Sequence, residues 1–514
     1  MILKELLEVL NKSNVLGGLE RQVKDITYDS REVRKDSLFV AIPGFKTDGR
    51  KYIADAIRNG ASVIVTEGTI EAPENNITVI SVPDARNALA LLSAQFYGYP
   101  SRRLRMIGIT GTNGKTTTSY LIKSIIENAG KRCGLLGTIS YIIGDETIQA
   151  PHTTPESADL QKYLHRIIGS GAEYAVMEVS SHALELNRVA DCEFDIAVFT
   201  NLTQDHLDFH KTMEDYFKAK LKLFTSLNNE RGKMVKKVGI INIDDPYSKR
   251  ILDAMKVKAV TYGFSRDADI RPDEIRIDIN GIAFKAVTAK GIFPVESKLT
   301  GKYNITNILS TIGVGQSLGF DNSIIADGIR AVENISGRFE KIEEGQDFAV
   351  VVDYAHTEDA LKRLLEAVKE FAKERIITVF GCGGDRDKGK RPKMGETAGK
   401  ASNIVIITSD NPRSEDPMEI IKAIEEGIKN SGLRIANCEL EKIRNPKSEI
   451  RNCYLIMPDR REAIYKAIGL AKKDDIVVIA GKGHEDYQII GDKKIHFDDR
   501  EIAREAIKTV GSRK

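Results

Sequence analysis

The sequence predicts an α/β protein of three domains with largely parallel sheets, and three observations predict it. Short apolar runs alternate with helical patterns along almost the whole chain, as strands joined by crossover helices do. At 514 residues the chain has room for roughly three domains of about 150 residues, each able to bury its own core. A composition of 41% hydrophobic and 29% charged residues excludes a disordered or low-complexity chain. No repeat of fixed period runs through it.

The first domain, small and α/β, is expected over residues 1–102. Its opening, MILKELLEVLNKS, sets Lys4, Glu5 and Glu8 among leucines, so an amphipathic helix is predicted there and not a signal peptide. Strands follow at 38–42, 62–66 and 77–82, then a helix ending near Tyr97-Gly98-Tyr99-Pro100. The basic Ser101-Arg102-Arg103 reads as a linker. The second domain, 103–335, begins with a strand at 104–110 and a long helical pattern after Thr116, with further strands at 174–180, 196–200 and 238–243. The run AVENISGR at 331–338, with Gly337 before a charged stretch, marks the next boundary. The third domain, 336–514, is the most regular: FAVVVDYAHTED, IITVFGCGGDRDKGKR, IVIITSDNPRSED and IVVIAGKGHED are apolar strands running straight into polar loops. This is a Rossmann-like pattern. In such an open parallel sheet the ligand crevice lies beyond the carboxyl ends of the strands, so the four loops are expected to converge on one binding site.

Charge and cysteine content narrow the function. Lys plus Arg total 76 against 74 Asp plus Glu, a net +2, so no global attraction to nucleic acid or anionic lipid is expected. Any anion site must be local. No apolar run approaches the roughly 18 residues of a membrane span. Five cysteines, an odd and sparse set, fit a reducing cytoplasm, and the Cys382 neighbourhood has no second Cys or His at metal spacing.

The residues that carry chemistry begin with GITGTNGKTTT, 108–118, between an apolar strand and a helix. This is phosphate-loop context. Backbone N–H groups and a helix N-terminus face an anion, Lys115 reaches terminal phosphates and a hydroxyl ligates magnesium. The strict pattern is varied, because Ile109 stands six before Lys115 and the glycines are Gly108, Gly111 and Gly114. Glu178 lies in the apolar strand of YAVMEVSSHA, where an unpartnered carboxylate would cost several kcal/mol, so a cation partner is expected. His206 stands in TNLTQDHLDFH beside Asp205, Asp208 and His210, as either a hydrogen-bonded loop residue or a metal ligand. In MEDYFKAKLKLF, helical projection puts Lys220 in the middle of the stripe of Met213, Tyr216, Phe217 and Phe224, with Lys218 and Lys222 on the opposite face. Lys220 therefore either snorkels or is ion-paired or chemically altered.

Jointly these residues resemble the ATP-dependent Mur ligases. TGTNGKTTT, EVSSHAL, TNLTQDHLDFH, the YFKAK helix, GKYNITN, SGRFE and DYAHTED occur in that family's order over essentially the whole chain. YDSREV, HTTPES, GCGGDRDKGKRP, SDNPR and GKGHEDYQ resemble the members that add the third residue of the peptide, meso-diaminopimelate. The resemblance implies a central phosphate-loop, parallel-sheet domain between a UDP-sugar-binding N-terminal domain and a C-terminal domain that binds the amino acid and closes over ATP. It implies ATP and Mg2+ as cofactors, UDP-N-acetylmuramoyl-dipeptide and meso-diaminopimelate as substrates, no nucleic acid or membrane partner, a monomer, and a cytoplasmic location. Folylpolyglutamate synthases share the phosphate loop and lysine, yet are not expected to carry DNPR, GKGHED or a sugar-nucleotide domain. A phosphate-loop protein that only hydrolyses ATP would leave the C-terminal loops and Lys220 without a task.

By the same resemblance, Gly111, Thr112, Asn113, Gly114, Lys115, Thr116 and Thr117 bind ATP, joined by Asn304, Asn307, Arg338, Asp353 and His356. Thr116 and Glu178 ligate one magnesium. His206 ligates a second, together with Lys220 carbamylated by carbon dioxide, and Lys115, Lys220 and His206 are the catalytic set. Ser30, Arg31, Thr153, Thr154, Ser180 and Arg188 match UDP-sugar positions, although Leu186 stands where relatives often carry glutamine. Arg391, Asp410, Asn411, Pro412, Arg413, Gly481 and Glu485 match the diaminopimelate site, with Arg413 on the second carboxylate.

Overall fold

A computed structural model describes residues 1–511 apart from 45–46, 69–75, 230–232, 234 and 436–452. Three α/β units follow one another along the chain. The N-terminal sheet has the order Asn14–Leu16, Thr78–Val82, Ala61–Glu67, Ser37–Ala41 and Asp25–Thr27, parallel except for the first edge strand. The predicted opening helix is shorter than its pattern, an α-helix over Leu3–Leu6 continued by a 3₁₀ turn at Leu7–Val9. Leu3 and Leu6 already reach the core, and the chain then turns out to form the edge strand, which the sequence reading did not anticipate.

The central sheet of eight strands has the order Lys258–Tyr262, Val238–Asn242, Ile196–Phe199, Arg105–Thr110, Tyr174–Glu178, Cys133–Leu136, Ser140–Ile143 and Glu146–Gln149. The first six run parallel and the last two are antiparallel. A separate antiparallel sheet of Arg271–Asp278, Gly281–Thr288 and Gly291–Ser297 also departs from the parallel expectation. Helices Lys115–Asn128 and Lys302–Leu318 bury their Ile- and Leu-rich faces in one continuous core with the central strands.

The third unit carries a seven-stranded sheet in the order Glu340–Lys341, Ala349–Asp353, Ile476–Ala480, Ile376–Phe380, Ile404–Ile407, Cys453–Ile456 and Arg434–Ile435. All but the first pairing are parallel, and apolar clusters cover both faces, which is why these strands read as unbroken apolar runs. The four described cysteines, Cys133, Cys192, Cys382 and Cys453, are buried free thiols. Among the described residues no helix is long and apolar enough to cross a membrane.

Candidate functional site

The loop between strand Arg105–Thr110 and helix Lys115–Asn128 is held by close backbone approach. Gly111 and Gly114 have φ of 152° and 86°, and a Cβ on them would lie 1.9 Å from Thr200 Oγ1 and 2.4 Å from Asn307 Oδ1. No side chain fits at either position. Thr200 Oγ1 donates to Asn113 O at 2.7 Å and Asn113 N donates to Asn201 Oδ1 at 2.9 Å, so the segment after strand Ile196–Phe199 clamps the loop. Lys115 Nζ folds back to donate to Gly111 O and Thr112 O, both at 2.9 Å. Burial lowers its pKa, opposed by Glu178 and Asp205.

Lys220 does not snorkel. It is 1% exposed, and its Nζ donates to Gly111 O at 2.8 Å and lies 4.5 Å from the Tyr216 ring centroid. Two amines therefore share one carbonyl. Burial, then repulsion from Lys115, holds the Lys220 pKa well below the ordinary lysine value.

Glu178 is fully buried, and within the chain its carboxylate is held by neutral donors. Thr116 Oγ1, Thr138 N and Thr138 Oγ1 donate to it at 3.0, 2.8 and 2.9 Å. These donors offset part of the cost of burying it. Thr138 carries no motif, so nothing in the sequence pointed to it. The Thr116 and Glu178 oxygens nevertheless face the cavity above the loop, a hard-oxygen pair that fits magnesium and leaves room for phosphate and water ligands. Among the described residues no group of three His, Cys, Asp or Glu is arranged to hold a metal. His206, at φ 54°, has its Nε2 3.3 Å from Asp205 Oδ2. Burial lowers its pKa against the pull of Asp205, which keeps the imidazole neutral and able to ligate. Unmodified Lys220 is no metal ligand, and only a carbamate would make it one.

Two cavities meet here. One, of about 230 Å³, is lined by Thr112–Thr117, Glu178, Asn307, Arg338, Asp353 and His356, among others. Arg338 Nη2 donates to Thr116 Oγ1 at 3.2 Å, and Asn113 Nδ2 and Thr203 Oγ1 donate to Asp359 Oδ2 at 2.8 and 3.1 Å, so the third unit closes onto the phosphate loop. Asn304 supports the site indirectly, accepting from Asn307 Nδ2 at 2.9 Å. Gly111 and Lys220 lie beneath the lining. The second cavity, about 490 Å³, is lined by all four C-terminal loops: Tyr354 and His356; Gly381, Gly383, Arg386, Asp387 and Lys390; Asp410, Asn411 and Arg413; Gly481, His484 and Glu485. Thr138, Thr153, Asp205, His206, Tyr354 and His356 line both cavities.

The second cavity carries both signs of charge. Its lining cations include Arg386, Lys390 and Arg413, the last donating to Gly384 O at 2.7 Å. Among its carboxylates, Glu485 accepts from Asn411 Nδ2 at 3.0 Å, and Asn411 Oδ1 accepts from the buried Lys482 Nζ at 3.0 Å. Burial and the neighbouring Asp410 raise the Glu485 pKa. Arg460, fully buried and paired with Asp499 at 2.7 Å, backs Asp410 from below. Lys482 stands inside the GKGHED motif and was legible, whereas nothing marked Arg460. Two predicted residues are not among those lining the cavity: Arg391, 3% exposed, is held by Glu415 at 2.8 and 3.0 Å, and Pro412 supplies backbone against Gly384.

Of the sugar-site candidates, Thr154, Ser180 and Arg188 come together. Thr154 Oγ1 donates to Glu178 O at 2.8 Å and lies 3.3 Å from Ser180 Oγ, and Arg188 Nη1 donates to Thr154 O at 3.2 Å. Thr153 lies 3.1 Å from Thr138. Ser30 and Arg31 stand apart on the first unit, where Arg31, with its side chain 87% exposed, pairs with Asp29.

A phosphate loop and a crevice lined by both signs of charge, on opposing domains and sharing one wall, define a class of enzyme, and the comparisons with known proteins agree with it. The chain belongs to the Mur ligase family. Residues 22–97 match the Mur ligase family catalytic domain, 109–315 the Mur ligase middle domain, and 337–483 the Mur ligase glutamate ligase domain. It is similar to the UDP-N-acetylmuramoyl-L-alanyl-D-glutamate–2,6-diaminopimelate ligase of Caldanaerobacter subterraneus subsp. tengcongensis, 47% identical over 96% of this chain and 97% of that protein. The protein of the same name from Geobacter metallireducens is 45% identical over 100% of this chain and 99% of the relative. A solved structure with that name superposes at a TM-score of 0.66, with 34% identity over 99% of both chains.

Proposed function

We propose that this chain is an ATP-dependent ligase that joins meso-2,6-diaminopimelate to UDP-N-acetylmuramoyl-L-alanyl-D-glutamate, in the synthesis of peptidoglycan precursors. The observation that carries this reading is the shared wall. A cavity above a phosphate loop and a cavity lined by both cations and carboxylates meet along six residues, so a carboxylate activated in the first would lie next to an amine held in the second. Relatives above 40% identity over nearly their whole length bear the name of that reaction.

The free side-chain carboxylate of D-glutamate attacks the γ-phosphorus of ATP, forming an acyl phosphate and releasing ADP. The incoming amine then adds to the carbonyl carbon, and the tetrahedral intermediate collapses with loss of phosphate. Both steps gather negative charge on oxygen, so the protein's part is positioning and electrostatic stabilisation. Lys115 turns from Gly111 O and Thr112 O towards the terminal phosphates, Arg338 approaches from the third domain, and Asn307 borders the base. Thr116 and Glu178 would hold one magnesium, and His206 with carbamylated Lys220 a second, where the metal would offset charge on phosphate oxygens. Arg413 pairs the second carboxylate of diaminopimelate, with Asn411 beside it, while Glu485, Asp410 and the Gly481 backbone receive an ammonium. Arg391 orients this site through Glu415. Ser30, Arg31, Thr153, Thr154, Ser180 and Arg188 bind the UDP-sugar.

The test is phosphate release from ATP with and without each co-substrate, joined to mass spectrometry of the product. A ligase requires both UDP-sugar dipeptide and amino acid and gains the mass of diaminopimelate less water. Phosphate release independent of both would overturn the reading.

A further inference from the structure

Tyr354 is one of the six residues on the wall common to both cavities, and its hydroxyl, its ring and its backbone each make contacts across the site. Its hydroxyl donates to Glu485 Oε1 at 3.3 Å. The Arg338 guanidinium carbon lies over its ring, 4.5 Å from the centroid, while Arg338 Nη2 reaches Thr116 Oγ1 at 3.2 Å. The His484 ring packs on it at 4.9 Å, and its backbone N donates to Gly337 O, in the segment leading to the third unit, at 3.0 Å. One side chain thus touches a carboxylate lining the second cavity and the arginine that enters the nucleotide cavity.

We propose that Tyr354 is a positioning residue coupling the two sites, its hydroxyl fixing Glu485 for the incoming amine and its ring face holding Arg338 over the phosphate loop. This rests on the ligase reading above. Glu485 has two oxygens and two neutral donors, Asn411 Nδ2 on one and Tyr354 on the other, so the hydroxyl decides where the second oxygen points. An ammonium entering the crevice needs an acceptor of fixed direction, because a carboxylate free to rotate binds it less selectively. The guanidinium, in turn, has a planar apolar face that stacks on the ring while its N–H edge reaches Thr116 on the phosphate loop, where a phosphate would lie. Filling either cavity therefore stiffens the wall of the other. Binding of amino acid and nucleotide is expected to be mutually favourable.

The experiment uses the full-length protein with Tyr354→Phe and Tyr354→Leu. Phe keeps the ring and removes the hydroxyl: the KM for diaminopimelate should rise about tenfold, with the KM for ATP within about twofold of wild type. Leu removes both contacts, and the KM for ATP should also rise, about fivefold. Calorimetry supplies a readout that a merely structural role would not move. A non-hydrolysable ATP analogue should bind wild type about fivefold tighter with diaminopimelate present, and Tyr354→Leu equally well with or without it. A Tyr354→Phe enzyme with the wild-type KM for diaminopimelate would overturn the inference, as would tightening of the same size in wild type and Tyr354→Leu. Should Tyr354→Leu fail to fold, Tyr354→Phe alone decides. If wild type itself makes no tripeptide product, it is the ligase reading that fails; an active wild type with an indifferent Tyr354→Phe sinks this proposal alone.

Discussion

Lys220 is a buried amine that makes no ion pair with a carboxylate among the described residues, although Asp205 lies near enough to favour its charged form. Its hydrogen bond goes to Gly111 O, and burial and Lys115 hold its pKa well below the usual value, the direction that the carbamylation proposed above requires. The proposed carbamate would carry a negative charge, turn repulsion from Lys115 into attraction and supply an oxygen ligand. Lys220→Ala is accordingly expected to lower ligation by roughly a hundredfold or more with little change in melting temperature, and a short-chain carboxylate such as acetate should restore part of it. Full activity in the unrescued variant would dispose of the carbamate's role, and a large fall in melting temperature with turnover intact would mark Lys220 as a packing residue. Arg413 makes a second prediction at this scale. Its guanidinium lines the second cavity and, among the described residues, donates to the backbone carbonyls of Gly384 and Asn411, so a carboxylate there would gain a charged partner. If Arg413 holds the second carboxylate as proposed, lysine would leave that cation unpaired. Arg413→Ala should reduce kcat/KM for diaminopimelate roughly a hundredfold and for lysine far less; a wild type using both equally would contradict the assignment.

At the scale of elements, the loops matter more than the strands that carry them. Gly337 sits at φ 64° with its Cα so close to the 481–485 loop that a Cβ would lie 2.0 Å from His484 N and 2.3 Å from Gly483 C. Gly337→Ala must therefore move backbone against backbone. It is expected to raise the KM for diaminopimelate by displacing Glu485 and to lower stability by about 1–2 kcal/mol through the left-handed conformation alone. Unchanged denaturation and KM would show that the contact yields freely. The convergence of the four C-terminal loops was readable in the sequence because an unbroken apolar strand of a parallel sheet must end at the same edge as its neighbours. Lys220 was readable because a cation on an apolar helical stripe stands out at a 3.6-residue period. What the sequence hid depends on contacts between distant segments: Thr138 supplies two of Glu178's three donors from 40 residues away, and Glu415 holds Arg391 back from the cavity. The antiparallel sheet at 271–297 is hard to read in the sequence because its edge strand Arg271–Asp278 is largely polar with no buried residue, and Ala, Val and Pro on the outer positions of the other two blur an alternation that their burial shows.

Taken as a whole molecule, the protein is three units that meet through polar and apolar contacts, with titratable groups in the cleft between the second and third. His182, His356 and His484, at the cleft between the second and third units, are held neutral by burial, with pKa pushed down from 6.5 to about 4, about 4 and about 3. Since each folded value lies below the ordinary one, the unfolded chain binds more protons as pH falls from 6.5, and stability should decline through that window down to about 4 while staying flat above it. Denaturation midpoints at pH 7.5, about 6 and about 4.5 check this, and a midpoint constant across them would refute it. The first unit meets the second through Tyr28 on Asp159 at 2.7 Å and through Glu156, which pairs with Arg86 of the first unit at 3.1 Å and Arg188 of the second at 3.2 Å. Ala158 of the second unit also packs into the first unit's core. The phosphate loop, Glu178 and the third domain make no use of these contacts. A chain begun near Arg103 keeps the whole nucleotide cavity, and Arg188 keeps Glu156, but it loses Ser30, Arg31 and the wall that Arg86 helps to hold. Such a chain is expected to bind ATP with an affinity within about threefold of the intact protein, because the lining of that cavity lies beyond residue 103 throughout. Its affinity for the UDP-sugar dipeptide should fall at least about a hundredfold if Ser30 and Arg31 bind that substrate as proposed. Calorimetry of both ligands on both chains separates the outcomes: undiminished binding of the UDP-sugar dipeptide to the shortened chain would remove the first unit from the substrate site, whereas loss of both ligands with a lowered melting temperature would show that the second unit needs the first to fold.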